Sequence, residues 1–203
     1  MILNHLADEQ INSFFDWLEK NISELSKSRD IQQEMTKKVK SLHGDLHWEV
    51  GPLSENEKYF AFSPNLNEDL LALTNMVVKK SPKILGWKFL AAKPKKNWTA
   101  RNIRFRSKGD VKKISCDHWQ YFLTSFNDDE FFDVNIVPDK KLELTNKELD
   151  YVADLFVEFE LGEELYIQAI DRVNVLEVGS NKEDTNSVDV LHEHILSQWK
   201  RTH

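Results

Sequence analysis

Cysteine and glycine are scarce in this sequence, which has one cysteine and six glycines among its 203 residues. The single cysteine, Cys116, excludes an intrachain disulfide and is compatible with a reducing compartment. The glycines form none of the patterns G-x-G-x-x-G, G-x-x-x-x-G-K-[ST] and G-x-S-x-G. These absences argue against a Rossmann or P-loop nucleotide-binding enzyme and against an α/β-hydrolase.

Long apolar runs are also lacking. A transmembrane helix needs about 18 or more consecutive apolar residues, whereas the most apolar segment, 84–92, has nine residues and includes Lys88. The first ten residues contain neither a basic stretch nor an apolar core, so no signal peptide is predicted. Together with the single cysteine, these features predict a cytoplasmic protein without a membrane segment.

Charge is present in quantity but is unevenly distributed. The formal net charge of −7 argues against a general affinity for nucleic acids or anionic membranes. Residues 79–113 contain 13 Lys and Arg against one acid, a net of +12, and residues 127–177 contain 4 Lys and Arg against 15 acids, a net of −11. A basic segment and an acidic segment therefore follow one another along the chain.

The periodicity of apolar residues predicts an α+β fold with a mainly antiparallel sheet and packed helices. The strand–strand–helix–strand pattern occurs twice, and internal duplication and coincidence both explain the repeat. A single domain over 1–203 is predicted. Its predicted parts are an N-terminal helical segment (1–44), a first strand–strand–helix–strand unit (45–92), a basic connection (93–117), a second such unit (118–178) and a C-terminal helix (188–203).

Several short motifs in residues 46–94 resemble those of a known family. They are Trp48-Glu-Val-Gly-Pro52, Phe60-Ala-Phe-Ser-Pro-Asn65, Asp69-Leu-Leu, Ser81-Pro82, Gly86-Trp87-Lys-Phe89 and Lys93-Pro94. Over residues 46–94 the chain resembles an uncharacterised bacterial family of conserved proteins. The resemblance implies a bacterial origin and a compact hairpin–helix–strand unit. That family has no established activity, so the resemblance assigns no functional residues.

The histidines do not form a recognisable metal motif. His43 and His47 have the spacing of two ligands on one helix, but Gly44 ends the helical pattern between them. His192 and His194 would point in nearly opposite directions on a helix. No metal and no cofactor are predicted.

Two other pairs have the chemistry of a catalytic site. Cys116 and His118 would share a strand face as a thiol–imidazole pair, and an ordinary buried cysteine beside a surface histidine is the alternative. His47 and Glu49 would share the polar face of a strand, where they could act as acid and base or form a solvent-facing pair. No catalytic residue is assigned.

The basic segment contains the candidate binding residues. They are Lys96, Trp98, Arg101, Arg104 and Arg106. Cations interleaved with aromatic residues can bind single-stranded nucleic acid, but the alternation around Phe105 directs that ring inward and leaves only Trp98 for stacking. The alternatives are neutralisation by the acidic segment 127–177 and a site for a protein or a small anion.

These observations support three hypotheses about function. The first is a non-catalytic binding or regulatory domain that engages a protein partner, as immunity proteins do. The second is a hydrolase that uses dispersed residues such as His47, Glu49 and His118. The third is a fold of two similar halves that binds a small ligand between them.

Overall fold

The computed structural model describes residues 8–126, 130–179 and 185–199. Its elements divide between two compact units, residues 1–94 and residues 95–203. Each unit contains its own cluster of buried apolar side chains. The predicted α+β class is confirmed, and the prediction of a single domain stays a prediction.

The first unit begins with two helices, as the apolar stripe of the sequence predicts. Helix α1 (Asp8–Asn21) continues into a short 3-10 turn (Ile22–Glu24), and α2 (Arg29–Leu42) follows. Ser28 separates them because its hydroxyl accepts a hydrogen bond from the backbone of Ile31 and starts a new helix. The apolar faces of both helices contribute to the first unit's core.

A three-stranded sheet completes the first unit. Strand β1 (His47–Pro52) pairs antiparallel with β2 (Lys58–Ser63), and β3 (Trp87–Leu90) pairs parallel with β2. Helix α3 (Glu68–Val78), capped by Asn67, provides the crossover that a parallel connection requires.

The second unit begins with a separate hairpin, followed by a four-stranded sheet and its helices. Its elements are β4 (Asn102–Ser107), β5 (Asp110–Ser115), β6 (Gln120–Phe126), β7 (Phe131–Val137), α4 (Asn146–Leu161), α5 (Glu163–Ala169), β8 (Ile170–Val175), β9 (Asn186–Ser187), a 3-10 turn (Val188–Val190) and α6 (Leu191–Trp199). The sheet order is β8-β7-β6-β9, in which β7 and β8 run parallel and the other pairs run antiparallel.

The predicted repeat appears as a repeated topology. In each unit an antiparallel hairpin leads through a helical crossover to a third strand that lies parallel to the hairpin's second strand. Pro64 follows β2 and Pro138 follows β7 at equivalent points. The strands among the described residues form three sheets rather than the one sheet predicted, because the two repeated units do not pair with each other and the hairpin β4–β5 pairs with neither.

The structure adds detail to two of the predicted parts of the chain. The basic connection 93–117 contains a hairpin, and the C-terminal helical segment starts as a 3-10 turn before α6. Residues 1–7 and 200–203 of the two predicted terminal segments lie outside the described residues. No helix within the described ranges has the length and apolarity that crossing a membrane requires.

Candidate functional site

The inner face of the β4–β5 hairpin is fixed to α4. Ile103 and Phe105 are buried and belong to the second unit's core. The ring of Phe105 meets the ring of Tyr151 edge to face, with centroids 6.0 Å apart. The alternation of apolar and basic residues in the sequence predicts this inward direction for Phe105, and the structure agrees.

The outer face of the hairpin is basic. We use "outer face" for Arg104, Arg106, Val111 and Lys113, all of which are exposed. In the strand register Arg104 lies opposite Lys113, and Arg106 lies opposite Val111, whose side chain is 64% exposed. The three cations form no ion pair with any described residue. Like charges directly opposite one another destabilise a strand pair, so this arrangement does not serve the hairpin's own stability.

The neighbouring lysine, Lys112, points to the inner side and is neutralised there. Its ammonium lies 2.9 Å from a carboxylate oxygen of Glu148 at the start of α4. The other oxygen of Glu148 accepts the backbone N–H of Thr145 and completes a capping box. The Ser107 hydroxyl, the Thr145 N–H and Lys112 together lower the pKa of Glu148 to about 2.

Trp98 and Arg101 converge on one carboxylate. The indole N–H of Trp98 donates to Glu160 Oε1 at 2.8 Å, and Arg101 Nε donates to the same oxygen at 2.6 Å. Arg101 Nη1 also lies 2.8 Å from Asp189 Oδ1. Burial lowers the pKa of Arg101, but its bonds to Glu160 and Asp189 outweigh this and raise it overall. The guanidinium is therefore charged and held inside the unit.

Lys96 lies against the same helix. Its backbone N–H donates to the carbonyl of Phe159 at 2.8 Å, and its ammonium lies 4.3 Å from the centre of the Phe159 ring. That geometry is a cation–π contact. The structure thus separates the five predicted binding residues: Lys96, Trp98 and Arg101 lie along the end of α4, whereas Arg104 and Arg106 lie on the outer face.

Two residues of the outer face, Val111 and Lys113, are not among the five binding residues that the sequence predicts, although Lys113 belongs to the basic segment. The strand alternation of residues 111–115 is the signal that would have found both. Val111, Lys113 and Ser115 are exposed, whereas Lys112 and Ile114 are half-buried. Between the basic and acidic segments, Arg101 pairs with Glu160 and Lys112 pairs with Glu148, so part of the charge of each segment is neutralised by the other.

The candidate thiol–imidazole pair is not assembled. Cys116 is fully buried, and burial together with nearby carboxylates raises the pKa of its thiol to about 12. His118 is exposed. A thiol with a raised pKa is a poor nucleophile at neutral pH because little thiolate is present.

The second candidate pair belongs to the first unit, on β1. Glu49 accepts a hydrogen bond from the Tyr59 hydroxyl, and burial together with this carboxylate raises the pKa of Tyr59. Partial burial, followed by the charge of Lys40, lowers the pKa of His47, so the imidazole is neutral at neutral pH. Among the described residues, no group of three or more His, Cys, Asp and Glu side chains could hold a metal ion.

Comparison with protein-family models, with curated proteins and with solved structures gives no significant match.

Proposed function

We propose that the chain is a non-catalytic binding or regulatory protein of the cytoplasm that engages an acidic surface of a partner protein through the hairpin outer face. One observation carries the proposal: Arg104 and Lys113 lie directly opposite each other, exposed and without a described acidic partner. The hairpin would be more stable with an opposite charge at either position. An external acidic partner gives that arrangement a purpose.

The rigidity of the hairpin favours recognition by a preformed surface. Ile103 and Phe105 anchor its inner face in the core, and the Lys112–Glu148 pair ties β5 to α4. Little conformational entropy is then lost when a partner binds. Val111, which lies opposite Arg106 at the turn end of the outer face, adds an apolar contact beside the cations.

A protein partner fits these residues better than a nucleic acid does. Single-stranded nucleic acids require aromatic side chains free for base stacking. Trp98 instead packs against Phe156 and Phe159 and donates to Glu160.

The substitution Lys113→Glu separates stability from binding. It replaces a like-charge pair by an opposite-charge pair, so we expect an increase of about 0.5 kcal/mol in the free energy of unfolding. The same change should reduce binding to an acidic polypeptide such as poly-L-glutamate about tenfold or more at low salt. Denaturant titration measures the first quantity and fluorescence anisotropy the second.

A matched control, a second variant and a competing ligand complete the test. Lys83→Glu makes the same charge change at an exposed lysine of the first unit and should leave both quantities nearly unchanged. Arg104→Ser with Arg106→Ser should weaken binding and its salt dependence together. Unchanged poly-L-glutamate binding in Lys113→Glu contradicts the proposal. A preference for an oligonucleotide of equal charge would assign the outer face to nucleic acid instead.

A further inference from the structure

A groove of about 650 Å³ opens in the second unit, and its lining includes no residue of the outer face. It lies where β7 ends at Val137 and β8 ends at Val175, and these two strands are parallel neighbours. The chain leaving β7 passes along the groove before it enters α4. The groove therefore lies outside the carboxyl ends of two neighbouring parallel strands.

The floor of the groove is apolar. Leu142, Leu144 and Leu149 line it and pack against the core while remaining half-buried. Val178 adds an exposed apolar wall, with 49% of its surface accessible. The volume lies within the range of about 300–1,000 Å³ that is typical of small-molecule sites.

The charges around the groove are arranged unequally. Lys140 and Lys141 are consecutive on the wall that follows β7, and neither forms an ion pair with a described residue. Asp150 and Glu177 also line the groove, but they come from two different elements, α4 and the end of β8. Positive charge is thus concentrated on one wall, while the two carboxylates balance the two lysines overall. A single anionic group suits this arrangement, whereas a polyphosphate would be repelled by the carboxylates.

We infer that this groove binds a small molecule that joins an apolar body to one anionic group, such as a medium-chain or aromatic carboxylate. The apolar body lies over Leu142, Leu144 and Leu149, and the anion meets Lys140 and Lys141. This inference is independent of the proposed function because it uses none of the residues of the outer face.

Two matched fluorescent probes test the inference on the full chain. 1-Anilinonaphthalene-8-sulfonate carries an apolar body and one sulfonate, and N-phenyl-1-naphthylamine is its uncharged counterpart. We expect saturable one-to-one binding of the anionic probe. The double variant Lys140→Ala, Lys141→Ala should weaken that binding about three- to tenfold and leave the neutral probe unaffected.

Further variants and ligands separate the groove from other apolar surfaces. Val178→Asn should weaken both probes, and this exposed position allows the change without loss of folding, which circular dichroism verifies. Lys147→Ala removes an exposed lysine of α4 that does not line the groove and should change neither probe. Octanoate should displace the anionic probe, whereas octylamine should not.

Three results obtained with the anionic probe overturn the inference. They are an absence of saturable binding by the anionic probe, an affinity unchanged in the lysine double variant, and an equal loss in Lys147→Ala. An equal loss for both probes in the double variant would also contradict it, because the lysines would then act without regard to the ligand's charge.

Discussion

At the scale of single residues, the buried hydrogen bonds of Trp98 and Arg101 both depend on Glu160. It is buried, and one of its oxygens accepts from both Trp98 and Arg101. A buried carboxylate is costly unless donors surround it, and its removal leaves the donors unpaired in turn. The exposed Asp189, which also contacts Arg101, has water as an alternative partner and matters less.

We therefore expect Glu160→Ala to lower the free energy of unfolding by about 3 kcal/mol, because it leaves the Nε–H of a guanidinium that is only 19% exposed, and the indole N–H of Trp98, without their acceptor. Asp189→Asn should cost less than about 1 kcal/mol, since that carboxylate is 62% exposed. Urea denaturation of the two variants gives the comparison. Equal costs would show that Arg101 does not depend on Glu160.

Glu148 should produce a pH dependence of stability. Its pKa is about 2 in the folded chain and 4.5 ordinarily, so its ionised form favours folding. This contribution is complete above pH 4.5 and disappears as the pH falls toward 2. We expect Glu148→Gln, which keeps a side chain suited to the capping box, to be less stable than the native chain at pH 7.

The difference between the two proteins should shrink between pH 4.5 and pH 2 in thermal melts. Glu143→Gln is the matched control, because this exposed carboxyl has no ion pair with a described residue. A difference between native and Glu148→Gln chains that stays constant with pH would show that the ionised carboxylate contributes no stability.

The residue scale also shows where prediction from sequence ends. The alternation around Phe105 was sufficient to assign its inward direction and the exposure of Arg104 and Arg106. The environment of Trp98 was not predictable, because Glu160, the carboxylate that accepts its indole N–H, lies 62 positions away in sequence. No local pattern reports such a contact.

At the scale of elements, the hairpin β1–β2 depends on a close approach at Gly51. A methyl group added to Gly51 would lie 2.6 Å from the Tyr59 hydroxyl oxygen, directly across the strand pair. The Tyr59 ring must then move away from Glu49. We expect Gly51→Ala to cost about 1 kcal/mol through the lost hydrogen bond.

The control is Gly44→Ala, since an added methyl group there meets nothing within 4 Å. Thermal melting of both variants, followed by circular dichroism, measures the effect. A Gly51→Ala variant as stable as Gly44→Ala would show that the Tyr59–Glu49 bond contributes little.

Element types were predictable where periodicity was strong, and less so where pairing decided the outcome. The capping box of Thr145 and Glu148 is a local motif, and the structure places it at the start of α4. The segment 165–178 has a strand-like pattern that also allows a helical start, and in the structure α5 (Glu163–Ala169) comes before β8. Which strands join which sheet depends on long-range pairing, and this is why one sheet was predicted where the described strands form three.

At the scale of the whole molecule, the two separate cores raise the question of whether each unit can fold without the other. All members of one buried cluster belong to residues 1–94, and all members of the other belong to residues 95–203. Units of about this size can fold alone when each has its own core. We expect both fragments, expressed separately, to unfold cooperatively in urea.

The prediction of a single domain implies the opposite result, that neither fragment folds alone. If neither fragment folds and the intact chain melts in one transition by calorimetry, the two cores form one cooperative domain. Sequence could not decide this point, because the boundary at Pro94 is marked by neither a glycine-rich nor a serine-rich linker.

The order of strands in the first unit also has a consequence for synthesis on the ribosome. Its last strand, β3, pairs parallel with β2 and ends at Leu90, before any strand or helix of the second unit begins. All parts of the first core therefore precede those of the second in translation. The nascent chain can complete its first fold while the later residues are still being added, which limits the time for which a strand edge is open to aggregation.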